Sequence, residues 1–160
     1  MKKLKKYSLL ICLMFSIFVL TSCGNVDEKA SEIYENEEMM LNTIVSNMKH
    51  YKRHSYRTND VKSVDYEINT LTGAIEVWEF WKSDVDTECH FEYEMNVESG
   101  NAKLVYMDSK NKEVETLVEN SESGEFSITP NSQNGIIYLV TMPDTKVEFT
   151  LTSSSGMYVE

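Results

Sequence analysis

The run CHFEYEMNVE, Cys89 to Glu98, decides the fold class. Cys89, Phe91, Tyr93, Met95 and Val97 take alternate positions, and His90, Glu92, Glu94, Asn96 and Glu98 fill the others. A side-chain period of two belongs to a strand with one face in a core and the other in water. Downstream, Ser99-Gly100-Asn101 turns the chain into AKLVYMD, and Asp108 to Lys112 turns it again into EVETLVE. GEFSITP, GIIYLVTM and TKVEFTLT continue the pattern, with Asn134-Gly135 and Pro143-Asp144 as breaks. Upstream, VDYEINTL and AIEVWEFWK flank Thr72-Gly73. These segments make eight candidate strands over residues 58–160, with no helical segment between them. The expectation is a mainly β chain folded as an antiparallel, jelly-roll-like β-sandwich.

Before the strands the period changes. Ile33, Met40, Leu41, Ile44, Met48 and Tyr51 recur at helical spacings, with Glu32, Glu35, Glu37 and Glu38 early and Lys49, Lys52 and Arg53 late. Both charge placements suit a helix dipole, so the pattern predicts one N-terminal amphipathic helix over 31–57. Its apolar stripe needs a cover, either this chain's own sheet or another protein.

The first 22 residues read as a secretory signal. Lys2, Lys3, Lys5 and Lys6 precede an apolar run from Tyr7 to Leu20, shorter than the roughly 20 residues a spanning helix needs. The run ends in Leu20-Thr21-Ser22-Cys23, which resembles the lipobox of bacterial lipoproteins. That resemblance implies a diacylated Cys23 as the first mature residue and an anchor on the extracytoplasmic face of the cell membrane. Residues 23–30 then read as a short polar tether.

The 160 residues carry 15 basic and 26 acidic side chains. Residues 1–22 hold four of the lysines and no acid, so the remaining 138 residues have a formal charge of −15. Such a surface repels phosphate backbones, and nucleic acid is not expected as a partner. With Cys12 in the signal and Cys23 acylated, Cys89 is left without a disulfide partner and is expected in the core.

The stretch SESGEFSITPNSQNGIIYLVTMPDTKVEFTLT, within residues 88–152, resembles the last strands of extracellular galactose-binding-like β-sandwich modules. The resemblance implies a binding or interaction module and names no ligand.

Candidate chemistry is sparse. Cys89 and His90 are adjacent in a strand and point to opposite faces, so they do not form a nucleophile and base. His50 and His54 have the i, i+4 spacing of some zinc sites on helices, or are cations near a helix end. Asp84, Asp86 and Glu88 alternate before a strand, as a loose calcium site or a solvated acidic turn; no other cofactor is expected. In VWEFW, Trp78 and Phe80 share one face, which is either core or an aromatic platform for a sugar or a protein partner. The sequence holds no phosphate loop, paired-cysteine site or nucleophile elbow. The expected function is a membrane-anchored, noncatalytic binding or interaction module. The alternatives are an accessory subunit docking through its helix onto a membrane protein, and a hydrolase built on Glu92 and Glu94, whose α-carbons stand about 7 Å apart in a strand.

Overall fold

A computed structural model describes residues 26–57, 61–120 and 123–153. The signal segment, the lipobox and Cys23 lie outside the described residues. A short helix, α1, covers 26–35, and a 3-10 turn follows at Glu37–Leu41. Seven strands come next: β1 (Ser46–Arg57), β2 (Lys62–Glu79), β3 (Cys89–Ser99), β4 (Ala102–Asp108), β5 (Glu113–Glu119), β6 (Ser123–Ile128) and β7 (Gly135–Ser153). Every pairing is antiparallel. Among the described residues no helix is long and apolar enough to cross a membrane.

Two long strands build both layers. β2 and β7 run side by side and each bends midway, β2 near Leu71 to Gly73 and β7 near Met142 to Thr145. Their outer arms join β1, β3 and β6 in the order β1-β2-β7-β3-β6. Their other arms, with β4 and β5 added beyond β7, form the second layer. Strands that change sheets at a bend make the corners of such sandwiches. Thr72-Gly73 and Pro143-Asp144 are therefore bends inside continuous strands rather than ends of strands, which is why four expected strands merge into two.

The corner is held by buried threonines that satisfy the backbone groups the bends release. Thr141 Oγ1 donates to the carbonyls of Leu71 (3.1 Å) and Gly73 (3.3 Å), and the Asp144 amide donates to Thr72 Oγ1 (3.0 Å). Thr145 Oγ1 donates to the carbonyls of Met142 (2.8 Å) and Asn101 (3.2 Å). Gly73 has a φ of +97°, and a Cβ there would collide with the Val45 carbonyl oxygen. Only glycine fits both conditions.

The main core fills the space between layers, with Phe91, Met95, Leu104, Ile137, Leu139, Phe149 and Leu151 nearly or fully buried. A second core lies on the opposite face of the second layer, where Ile33, Tyr34 and Met40 pack against Ala74, Val105, Met107, Tyr138 and Val140. β4 is buried at every position because it is covered on both faces. Polar contacts fasten this cover. Tyr34 Oη donates to Glu119 Oε1 (3.0 Å), and Glu37 accepts from Thr116 Oγ1 (2.7 Å) and from the buried Lys103 Nζ (3.1 Å). Burial, and after it the Glu119 carboxylate, push the Tyr34 phenol up to about 12, so it remains a donor.

The N-terminal expectation is corrected on two counts. Residues 26–30, read as tether, are helical, and Ala30 is fully buried. The helix expected over 31–57 ends at 35, and Ser46–Arg57 is an edge strand paired to β2. All but one residue of β1 is exposed, so it carries no alternating apolar signal; the backbone ladder to β2 sets its conformation.

Candidate functional site

The face of β1 that carries Tyr51, Arg53, Ser55 and Arg57 lies beside the inward row of β2: Ile68, Tyr66, Val64 and Lys62 are their respective partners in register. In the second layer the arm of β2 pairs only with β7, so no strand there matches β1. The inward-facing side chains of β1 are consequently left in water at the mouth of the sandwich.

Three cations stand over three rings on this rim. Arg53 Cζ lies 5.6 Å from the Tyr66 ring centroid, Arg57 Cζ 4.6 Å from that of Trp81, and Lys62 Nζ 3.8 Å from that of Trp78. Tyr66 and Trp78 are core residues whose outward faces the cations cap. Trp81 is different. It is 54% exposed, and Tyr51 on the neighbouring strand is 52% exposed, so both rings remain open to a ligand.

Trp81 is fixed from behind. Its backbone N–H donates to Asp84 Oδ2 (2.7 Å), and Ser83 Oγ donates to Asp84 Oδ1 (3.2 Å), closing the short 3-10 turn Lys82–Asp84. The Lys62 ammonium is half-buried. Its pKa is held below the usual lysine value by burial first and then by the Arg57 charge, while Asp84 and Glu79 act in the opposite direction. Burial raises the Tyr66 phenol, with Arg53 opposing it.

The residues expected to form sites fall as follows. Trp78 and Phe80 are 7% and 4% exposed and pack edge-on against Phe91, with ring centroids 5.0 and 6.0 Å away. They are core, so the aromatic surface of VWEFW is Trp81 instead. Val77 and Trp78 both turn inward because the pairing with β7 slips between Glu76 and Trp78. Asp84, Asp86 and Glu88 do not converge. Asp84 caps its own turn, the Asp86 N–H donates to the Pro130 carbonyl (2.8 Å), and Glu88 stands 3.7 Å from His90. Among the described residues no three His, Cys, Asp or Glu side chains gather as metal ligands would. His50 and His54 sit on β1, where four residues span about 13 Å rather than one helical turn.

Cys89 is buried as expected, its thiol donating to the Thr87 carbonyl (3.6 Å), while His90 points outward to Ser127 (2.7 Å). Glu92 and Glu94 lie exposed on the outer face of the first layer. That face is acidic: Glu92 pairs in register with Glu125, and Glu67 with Glu148. The concavity beside β5 is lined by Glu38, Glu113 and Glu115, and Asn131 Nδ2 donates to both Glu113 oxygens (3.0 Å each). The sequence signal for the rim was present as KHYKRHSYR, basic and aromatic residues interleaved, and a helical reading of that segment concealed it.

No protein-family model matches the sequence, and no curated protein matches it. Among solved structures the chain is similar to KdgF from Halomonas sp., at 13% identity over 68% of this chain and 86% of that one, with a TM-score of 0.35. A variant of a family 29 carbohydrate-binding module aligns at 10% identity over 74% of this chain and 96% of that one, with a TM-score of 0.34. An RmlC-like cupin from Shewanella frigidimarina aligns at 13% identity over 69% and 85%, with a TM-score of 0.29.

Proposed function

We propose that this protein is a lipoprotein anchored through Cys23 to the extracytoplasmic face of the cell membrane. Its mature domain is a noncatalytic binding module that takes a carbohydrate on the rim formed by Tyr51, Arg53, Arg57, Lys62 and Trp81. The observation that carries the reading is Trp81: a large ring, more than half exposed, on a backbone fixed by Asp84 and beside the Arg57 guanidinium. Exposed, immobilised rings of this kind stack on the apolar faces of sugars and cost little ordering entropy on binding.

Two observations weigh against the alternatives. The apolar side chains of α1 pack on this chain's own second layer, with Ile33 1% exposed, which leaves no free stripe for a membrane-protein partner. Glu92 and Glu94 sit on an open face with no neighbouring wall to desolvate them, so they do not form an acid and base pair.

Trp81→Ala tests the reading. In affinity electrophoresis through a panel of gel-embedded polysaccharides, the wild-type mature chain should be retarded by at least one, and Trp81→Ala should migrate freely while unfolding at the same urea concentration. A Trp81→Ala, Tyr51→Ala double variant that keeps every retardation of the wild type would remove the rim as the site.

A further inference from the structure

The geometry points to an acidic polysaccharide as the ligand of this rim, a chain whose sugar units each carry a carboxylate; the inference rests on the carbohydrate reading above. Charge distribution comes first. The 138 residues after the signal carry 26 acids, yet none of them lies in the 12 residues of β1. Arg53, Arg57 and Lys62 instead share one face of the β1-β2 pair. Both arginines of the whole sequence are in that row. Arginine is the side chain whose planar fork grips a carboxylate with two parallel hydrogen bonds, whereas lysine offers a point charge.

The pairing of each cation with a ring narrows the class. Arg57 with the exposed Trp81 forms one unit, a positive group beside an open ring, and Arg53 over Tyr66 and Lys62 over Trp78 extend the line of positive groups on rings that belong to the core. A uronate-type sugar is the complement of that unit, because it presents an apolar ring face and one carboxylate together. A linear phosphate polymer has the charge without the ring face. Arg53 and Arg57 are four residues apart on a strand, about 13 Å, which suits successive units of a chain rather than a single sugar. Of the nearby acids, Asp84 accepts from the Trp81 N–H and the Ser83 hydroxyl, and the pull of Asp84 and Glu79 on Lys62 is smaller than the combined opposing effect of burial and Arg57. An incoming carboxylate would relieve the mutual repulsion of Lys62 and Arg57.

The test uses the full mature lipoprotein in detergent, titrated with hyaluronan, alginate and polygalacturonate, with methyl-esterified polygalacturonate and dextran as uncharged counterparts. The expected result is binding to one or more of the acidic chains, with Trp81 emission shifting, affinity falling as salt rises, and no binding to the uncharged pair. Arg53→Gln and Arg57→Gln should each weaken it about tenfold. Both residues are exposed, and the salt dependence of the wild type needs no variant. Equal affinity for the esterified or neutral chains, with Trp81 dependence, would overturn the acidic class and leave the carbohydrate reading intact. Binding to none of the five would overturn both. Binding confined to phosphatidylglycerol vesicles over phosphatidylcholine ones would overturn both in favour of a lipid surface.

Discussion

Trp78 and Trp81, three positions apart, show how burial assigns roles that identity does not. Trp78 is nearly buried against Phe91, and Trp81 stands in water over the same rim. Trp78→Ala should cost about 3–5 kcal/mol in urea denaturation, because the ring's removal leaves a cavity in the core. Trp81→Ala should fall within about 0.5 kcal/mol of the wild type. Since the chain has only these two tryptophans, the Trp81→Ala variant should emit with a single blue-shifted band. Asp108 makes a different kind of point. Fully buried, it accepts hydrogen bonds from the Lys110 and Asn111 backbone amides, from Asn111 Nδ2 (3.0 Å) and from Ser132 Oγ (2.6 Å), pinning the β4-β5 hairpin to the loop before β7. Burial pushes its pKa up, but the four hydrogen bonds outweigh it and hold the carboxyl below its ordinary 3.8. A depressed folded pKa gives stability that is complete above 3.8 and lost as pH falls through the lower folded value. Asp108→Asn should therefore be destabilised by about 1.5–3 kcal/mol at neutral pH, and the gap to the wild type should close in melts below pH 3.8.

Each long strand of this fold depends on its bend. β2 and β7 turn together at a corner where Gly73 has a left-handed φ and three buried threonines replace the missing ladder bonds. Gly73→Ala forces a Cβ into the Val45 carbonyl as well as straining the backbone, and should cost at least about 1–3 kcal/mol. Calorimetric melting of the variant checks this; an unchanged melting temperature would show that the corner relaxes without cost. β1 depends on another element altogether. It is the edge of the first layer, and its lysine, arginine and histidine side chains guard an open row of backbone groups against pairing with another chain. The same charges that protect the edge supply the cations of the rim.

The molecule as a whole combines an acidic sandwich, a basic rim and the anchor proposed at Cys23. Only Gly24 and Asn25 separate that cysteine from α1, and an extended chain advances about 3.3–3.6 Å per residue. An acylated Cys23 would therefore hold the domain within about 10 Å of its lipid, close against the membrane rather than on a long leash. Cells fed labelled palmitate should label the wild type, and Cys23→Ser should lose both label and membrane fractionation. Label persisting in the variant would refute the anchor.

What could be read from residues alone was whatever repeats along the chain. CHFEYEMNVE and EVETLVE become β3 and β5 because alternation is a local property, and AKLVYMD becomes β4 as a short apolar run bounded by turns on both sides. The mainly β, antiparallel class follows from those segments, as does the burial of Cys89. Three features depended on pairings distant along the chain. The bends at Thr72-Gly73 and Pro143-Asp144 use turn residues, and only the partner strand across the corner decides that the chain continues instead of reversing. Ser46–Arg57 buries no face, so its strand state comes from hydrogen bonds to β2, distant pairings that no periodicity encodes. The rim itself is assembled from β1, the start of β2 and the turn after it, and its rings divide into buried Trp78 and open Trp81 because the layers end where they do. Tertiary packing decided these, since exposure is a property of what lies across the sandwich and not of the residue that bears it.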